Sequence, residues 1–387
     1  MVTLKRHNIA WGISTFFTLS TLACIVGLAL YIPRYGVHPL EPITTVAFVY
    51  IVAMAIAGGY HRLFSHRAYK AHPILKIIWL IIGSAGLQQS AIKWSADHRL
   101  HHRFVDTDRD PYSFKKGFFW AHIGWILTKD PQTREELLTQ VPDLVKDKYV
   151  MWQYRYWALI GAVLSIGIPL GIGFLIGRPL GMFLWAGLLR VVLTHQTTFT
   201  INSLAHWRGK QPYSNKNSSK DVWWLAPFLV GESYHNYHHT FQWDYRNGIR
   251  WYHWDPVKWF LWPLSYTPLV HHLRRTPVHL VLKARMEIDL YRLQNQWKRK
   301  PPQDLWLPIQ SRLLKIRQGL LEAGQQLASA KENYRQFKQD VSERSRQSLE
   351  QAKRLLKEKE QTFHELKSQW KDLVHWAREG SWIAVPA

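Results

Sequence analysis

The sequence has a single cysteine, Cys24, in 387 residues. One cysteine excludes an intramolecular disulfide and any metal site built from several thiolates. Acidic residues are also scarce, with 27 Asp and Glu against 50 Lys and Arg, which gives a formal net charge of +23. Such an excess indicates nucleic acid, an anionic membrane leaflet or a polyanionic substrate. Histidine is abundant, with 20 residues, so imidazoles are the groups available to hold a metal.

Long hydrophobic runs favour the membrane over nucleic acid. Four runs are long enough to cross a bilayer as helices, since about 20 apolar residues suffice; they are residues 9–32, 43–60, 158–176 and 180–204. The sequence therefore predicts an all-α integral membrane protein with four transmembrane helices in two hairpins. A cleaved signal peptide over the first run is the alternative, but no small-residue cleavage site precedes Pro33.

Two hairpins leave both termini on one side, together with nearly all Lys and Arg, and the positive-inside rule makes that side cytoplasmic. A further apolar stretch, 74–92, would separate the histidine clusters by a membrane if it crossed, so we expect it in the interface or on the core. Residues 1–300 are thus predicted as a membrane domain with a cytoplasmic helical cap. Residues 301–387 have apolar side chains at 3–4 spacing, which predicts long amphipathic, coiled-coil-like helices.

Three histidine clusters dominate the polar segments: HRLFSH at 61–66, HRLHH at 98–102 and HNYHH at 235–239. Within each, separations of three to five residues can present the imidazoles from about one face of a helix. The clusters contain His61, His66, His98, His101, His102, His235, His238 and His239. Eight ligands exceed the needs of one ion, so the pattern predicts a di-metal site.

His206 is a ninth candidate, because it follows the fourth run at the same membrane face. Imidazole suits Fe, Zn, Cu and Ni, whereas hydrolytic two-metal sites usually contain carboxylates. Oxidation of an alkyl chain at the membrane surface fits an all-nitrogen pair better, and iron is the expected metal. Asp97, next to His98, is either an acceptor that orients a ligand, a group that meets substrate, or one half of an exposed ion pair.

The strings HRLFSH, DHRLHH and HNYHH, with NSLAH between the last two, closely resemble those of the membrane acyl-CoA Δ9 desaturases, the family of stearoyl-CoA desaturase. The resemblance covers about residues 6–243. It implies that the nine histidines ligate two iron ions, with Asn202 contributing through a water. It also implies that O2 and two external electrons serve to introduce a cis double bond at carbon 9 of a saturated acyl chain.

The resemblance also assigns substrate residues. Gln88, Trp94 and Thr198 match the bend of the family's acyl tunnel, while Val49 and Ala53 fall near its closed end. The positions that hold the thioester and nucleotide correspond to Asn8, Gln89, Asp97, Lys129 and Phe199. Departures from the family at Ala96, Asp130 and Phe199 leave the carrier open between coenzyme A, an acyl carrier protein and an intact lipid.

The electrons must come from a separate protein of the ferredoxin, cytochrome b5 or flavin reductase type, because the sequence has neither a heme motif nor an iron-sulfur cysteine set. The basic cytoplasmic face could dock an acidic donor or anionic lipid head groups. Two other readings compete: a membrane di-iron hydroxylase or desaturase of another lipid, and a histidine-based metal transporter or sensor. Transport ligands would lie within the spans, whereas these clusters lie at or beyond one end.

Overall fold

The computed structural model describes residues 9–129, 132–298, 306–339 and 343–379. The chain is mainly helical and divides into two compact units, Met1–Gln211 with Lys216–Arg275, and Pro212–Asn215 with Thr276–Ala387. The helices and strands of the first unit are α1 Trp11–Tyr35, α2 Leu40–Ala55, β1 Lys70–Ala71, α3 Pro73–Ser84, α4 Ala91–Phe104, α5 Arg134–Thr139, α6 Pro142–Val145, α7 Lys148–Ala162, α8 Ile168–Leu175, α9 Pro179–Met182, α10 Arg190–Trp207, α11 His235–Thr240, α12 Pro256–Leu264 and β2 Val270–His271. β1 and β2 pair antiparallel, with Lys70 opposite His271.

π-helical turns join several of these helices into longer rods. Ile56–Ser65 continues α2, Val163–Gly167 joins α7 to α8, and Phe183–Leu189 joins α9 to α10. Three helices of the described chain are long and apolar enough to cross a membrane: Trp11–Tyr35, Leu40–Ser65 and Lys148–Leu175. The rod 179–207 is continuous but carries Arg190 and several Thr, Gln and Asn side chains. A fourth span therefore remains a prediction.

The turns of the two helix pairs meet around one buried carboxylate. Glu41, at the start of α2, accepts hydrogen bonds from the Tyr31 hydroxyl at 2.7 Å and the His38 backbone N–H at 2.8 Å. Arg178, between α8 and α9, donates to the same carboxylate at 3.0 Å. Burying Glu41 without such partners would be costly. The contacts hold both turns at the end of the rods opposite to the histidines.

α3 is 12 residues long and too short to span a bilayer. It begins at Pro73, where the preceding His72 accepts a hydrogen bond from the Ile74 backbone. The following loop bends sharply, with positive φ at Leu87 (50°) and Gln89 (68°), a conformation that non-glycine residues adopt only when the surroundings enforce it. The loop leads directly into α4, which carries the histidines of the HRLHH motif.

The second unit contains three long helices, α13 Val278–Trp297, α14 Trp306–Gln339 and α15 Glu343–Glu379. Their apolar residues at 3–4 spacing turn inwards and pack together in a separate core. Its buried members include Met286, Leu293, Leu313, Leu320, Phe363 and Trp370. Packing between these helices, rather than intrinsic propensity, stabilises such long charged sequences.

Candidate metal centre

The nine histidines of interest come from four segments of the first unit. His61 lies on the π-helical continuation of α2, and His66 follows its last residue. α4 carries the HRLHH motif, α11 carries the HNYHH motif, and His206 is the penultimate residue of α10. The π-helical stretch is completely buried, and π-helical turns are frequent at functional sites. Four distant parts of the sequence thus converge.

In space, the imidazoles of these motifs regroup into two clusters of four, and within each the ligand atoms lie within 4.8 Å of one another. From here on, the first and second cluster mean these two spatial groups. The first cluster is His61, His66, His98 and His238, and the second is His101, His206, His235 and His239. The ninth imidazole, that of His102, lies beside the first cluster, with its Nε2 atom 3.0 Å from that of His238. All nine sequence-predicted histidines are therefore found together.

The spacing of the nitrogens fits metal coordination. Nε2 atoms of neighbouring rings lie 2.8 Å apart for His66 and His98, and 3.0 Å apart for His206 and His235. Two nitrogens that each lie about 2.1 Å from one ion, at a right angle, are about 3.0 Å apart. A row of buried nitrogens facing one another without carboxylates is the donor set of a first-row metal that prefers imidazole.

Burial keeps these rings neutral. Burial first, and the neighbouring imidazoles second, hold the pKa values of His66, His98, His102, His206, His238 and His239 well below the ordinary value. The same causes lower the pKa of His235 to about 3. A neutral imidazole keeps a lone pair on one nitrogen, which metal binding requires.

In the first cluster, Glu232 supports His61 from behind. The Nδ1 atom of His61 lies 2.7 Å from Oε2 of Glu232, which is close enough for an ion pair. The angle at this contact is not that of an aligned hydrogen bond. Arg62 donates to the other oxygen at 2.8 Å, and Asn247 donates to Oε2 at 2.8 Å. Burial alone would raise the pKa of Glu232, but His61 and Arg62 lower it to about 2. The carboxylate therefore stays ionised.

The second cluster has two such supports. His101 places its Nδ1 atom 2.8 Å from Oδ1 of Asp110, and His206 places its Nδ1 atom 2.7 Å from the hydroxyl oxygen of Ser218. Ser218 in turn donates to Asp106 at 2.6 Å. An ionised carboxylate only accepts, so Nδ1 carries the proton and Nε2 keeps the lone pair that faces the cluster. Sequence reasoning missed all these partners, because no fixed spacing relates them to the histidines.

One cavity opens onto both clusters. It contains about 1000 Å³ of empty space, counting its open mouth, and His61, His98, His101 and His235 form part of its wall. Apolar side chains make up much of the remainder, among them Ala53, Ile56, Ala57, Ile126, Phe228, Leu229 and Val230. Deep, mainly apolar cavities with a few polar groups are typical of small-molecule sites.

Several sequence-predicted substrate residues line this cavity: Ala53, Gln88, Gln89, Trp94, Asp97, Thr198 and Phe199. Asn202, which was predicted as a contributor to the metal site, also lines it. Three of them form one hydrogen-bonded group, since the Gln88 amide donates to the Thr198 hydroxyl at 2.8 Å and accepts from the Trp94 indole at 3.3 Å. Asp97 forms a largely buried pair with Lys93 at 2.5 Å. Lys93, Tyr112 and Trp125 also line the wall and were not predicted from the sequence.

Two other predicted substrate residues, Val49 and Lys129, are not among the residues that line the cavity in the part of the chain that the structure describes. Val49 is partly buried on α2, one helical turn before Ala53. Lys129 is exposed. Asn8 lies outside the described residues.

Comparison with known proteins identifies the family. The model of the fatty acid desaturase family matches residues 39–276, which are more than half of the chain and include all nine clustered histidines. The chain belongs to the fatty acid desaturase family. Among its relatives, a protein of Schizosaccharomyces pombe described as a probable acyl-CoA desaturase is 40% identical over 291 residues, which are 73% of this chain and 60% of that protein.

Two further relatives have similar descriptions. Acyl-CoA desaturase 1 of Saccharomyces cerevisiae is 35% identical over 268 residues, 69% of this chain and 52% of the relative. Delta(9)-fatty-acid desaturase fat-5 of Caenorhabditis elegans is 35% identical over 252 residues, 62% of this chain and 73% of the relative. The chain thus spans between about half and three fifths of the length of the two yeast proteins.

Proposed function

We propose that this desaturase-family chain is an O2-dependent fatty acyl desaturase that introduces a cis double bond at carbon 9 of a saturated acyl chain carried on coenzyme A. The observation that carries the proposal is that two all-histidine clusters each contribute two histidines to the wall of one mainly apolar cavity. The descriptions of the relatives as acyl-CoA and Delta(9) desaturases support the substrate and the bond position.

The nine histidines would hold two iron ions, with Asn202 contributing to the second cluster through a water. When bound, the iron pair would use O2, two electrons from a separate donor and two protons to remove two hydrogens from the chain, leaving two waters. The protein's part is to hold, aim and shield the chain. Ala53, Ile56 and Ala57 provide an apolar wall for its methylene groups.

The hydrogen-bonded group of Gln88, Trp94 and Thr198 is proposed to form the bend that sets which carbons face the metals. Its polar groups are paired with one another and with the backbone carbonyl of Thr194, which accepts from the Thr198 hydroxyl at 3.2 Å, so they add no unpaired donor to a cavity that must exclude water. At the mouth, the charges of Lys93 and Asp97 are suited to the polar carrier end. Gln89, Lys129, Phe199 and Asn8 are proposed to complete the binding of that end.

We propose that the chain is a multi-pass membrane protein with four spans and that both termini and the metal centre lie on the cytoplasmic side. Two features support this placement: the histidines lie at the end of the rods opposite to the turns that Glu41 joins, and the chain carries a large excess of Lys and Arg. An acidic electron donor of the ferredoxin, cytochrome b5 or flavin reductase type would then find a basic surface.

Expression in a host that makes no monounsaturated fatty acids tests the proposal. We expect monoenes with a cis double bond at carbon 9, identified by mass spectrometry of derivatised lipids, and none from a His238→Ala variant that remains in the membrane. A hydroxylated chain would instead indicate a hydroxylase on the same fold. A double bond confined to a sphingoid base would reveal another lipid substrate. Either result overturns the proposal.

Chain length provides a second test, with a matched control. Ala53 lies eight residues before His61, about two helical turns along the same rod, and it lines the cavity. Ala53→Tyr should fill the deep end and shift products towards shorter chains without moving the double bond. Val49 lies one helical turn before Ala53 and is not among the residues that line the cavity in the described part of the chain. Val49→Tyr is therefore the control. An unchanged length profile in the Ala53 variant means that α2 does not form the floor.

A further inference from the structure

The segment around α12 exposes an unusual number of aromatic rings. Between residues 251 and 266, seven aromatic side chains are exposed: Trp251, Tyr252, Trp254, Trp259, Phe260, Trp262 and Tyr266. Trp251 and Tyr266 are 84% and 76% exposed. Scattered apolar residues are normal at a protein surface, but a contiguous patch of this kind marks an interaction site. We call these seven residues the α12 surface.

The α12 surface is built on a fixed platform. α12 packs its opposite side inwards through Val257 and Leu261, both fully buried. The side chain of Lys258 donates to the backbone carbonyls of Gly248 and Arg250, both at 2.7 Å, which ties the preceding loop to the helix. The indole of Trp259 donates to the carbonyl of Trp251 at 3.1 Å. Structural contacts thus hold the exposed rings in place.

The exposed charges along this segment of the chain are of one sign. Asp255 is the one acidic residue between positions 245 and 275, and it is fully buried where it caps α12. Arg250, Arg274 and Arg275 are exposed in the same stretch. Exposed tryptophan and tyrosine with arginine, and without exposed carboxylates, are the composition of segments that lie in the head-group region of a bilayer.

The neighbouring helix is also apolar on its outer side. Phe260 of α12 contacts Trp79 of α3, with ring centroids 5.4 Å apart. On α3, Ile74 and Ile78 are exposed, although the helix is too short to span. Two adjacent elements therefore present apolar groups outwards. A docked protein would usually require polar groups of both signs at the rim of its site.

We propose that the α12 surface is a monotopic membrane anchor, which inserts its aromatic rings among the head groups of an anionic leaflet while the neighbouring arginines contact lipid phosphates. The anchor adds to the proposed spanning helices. Rings of this kind lie about 5–10 Å into the boundary between head groups and acyl chains.

The lone cysteine makes a direct depth measurement practicable. Cys24→Ala provides a background into which Trp262→Cys or Tyr266→Cys is introduced and labelled with a nitroxide. The labelled protein is reconstituted in vesicles of phosphatidylcholine and phosphatidylglycerol. Collision with O2, which concentrates in the bilayer, is compared with collision with chromium oxalate, which stays in water. Leu30→Cys in the first predicted span and Asp108→Cys on an exposed polar loop calibrate the two extremes.

We expect the ratio of O2 to chromium collisions at positions 262 and 266 to exceed that at 108 several-fold and to lie between the ratios at 108 and 30. Adding Trp259→Ser should lower the ratio at 266. A ratio equal to that at 108 means that the surface is in water and overturns the proposal. Low collision with both reagents, together with spin-spin broadening, indicates that a second copy covers the surface and overturns it too. These outcomes do not depend on desaturase activity.

Discussion

Removing the carboxylate behind His61 should weaken the binding of the metal proposed at the first cluster without removing any of its proposed ligands. Glu232 lies 2.7 Å from the Nδ1 atom of His61 and 2.8 Å from Arg62. In Glu232→Gln the amide can offer its oxygen to only one of these two donors, while its NH2 group faces the other. The imidazole then loses either its orientation or the ionised acceptor that increases its basicity.

The loss of such a partner typically costs 10–100-fold in metal affinity, which corresponds to about 1.4–2.8 kcal/mol. The substitution also leaves part of the charge of Arg62 unpaired in a buried site, and breaking a buried pair destabilises a protein by about 3–5 kcal/mol. These two effects must be separated. Asp255 permits this, because it also pairs with Arg62, at 3.0 Å, but does not contact a histidine of either cluster in the described chain.

The assay compares parent, Glu232→Gln and Asp255→Asn proteins after purification. Iron per chain is measured by elemental analysis before and after exposure to a chelator, and thermal unfolding is followed in parallel. We expect both variants to unfold at lower temperature, and Glu232→Gln alone to lose its first iron 10–100-fold more readily. If the folded Glu232 variant keeps both irons as firmly as the parent, or if Asp255→Asn loses iron equally, the proposed role of Glu232 is wrong.

Three other predictions concern separate parts of the molecule. His206→Ala should lower the iron content from two towards one per chain and abolish product, as elemental analysis and lipid analysis would reveal; normal activity would remove His206 from the site. Gln88→Ala, which deletes the 2.8 Å hydrogen bond to Thr198, should yield a mixture of double-bond positions, whereas an unchanged single position would argue against the bend. Burial raises the pKa of Asp143, but the neighbouring Arg99 and Arg67 lower it to about 2. The contribution of ionised Asp143 to stability is therefore present above the ordinary carboxyl pKa and is lost as the pH falls towards 2. The difference in melting temperature between the parent and Asp143→Asn should accordingly vanish in acid. A difference that stays constant with pH would contradict the assigned cause.

The sequence predicted which histidines come together better than it predicted how they divide between the two clusters. Helical spacing predicted that the histidines of each sequence motif share about one face of a helix, and all nine come together. α4 nevertheless sends His98 to the first cluster and His101 to the second, while α11 sends His238 to the first and His235 to the second. Which metal a ring faces depends on the angle at which helices from distant parts of the chain approach. Spacing within one helix contains no information about that angle.

The supporting residues were beyond sequence reasoning for a similar reason. Asp110 precedes no motif, and Ser218 belongs to a polar stretch that resembles any surface loop, yet both bind the Nδ1 atom of a clustered histidine. Loops lack the periodicity that makes helices readable from sequence. The fold shows the same contrast: hydrophobic runs indicated the long helices, whereas the sharp bend at Leu87 and Gln89 depends on tertiary contacts and could not be anticipated.

The buried network around Arg62 connects the proposed anchor to the metal centre. Arg62 adjoins His61 in the chain and donates to Glu232, while it also pairs with Asp255. Asp255 caps α12, whose exposed rings are proposed to lie in the head-group layer. Because each of these groups is buried and paired, the path from membrane interface to imidazole contains no freely rotating link. If α12 is an anchor, the same contacts fix the position of the histidine clusters relative to the bilayer, and an acyl chain that enters from the membrane would meet the proposed metals at a constant depth.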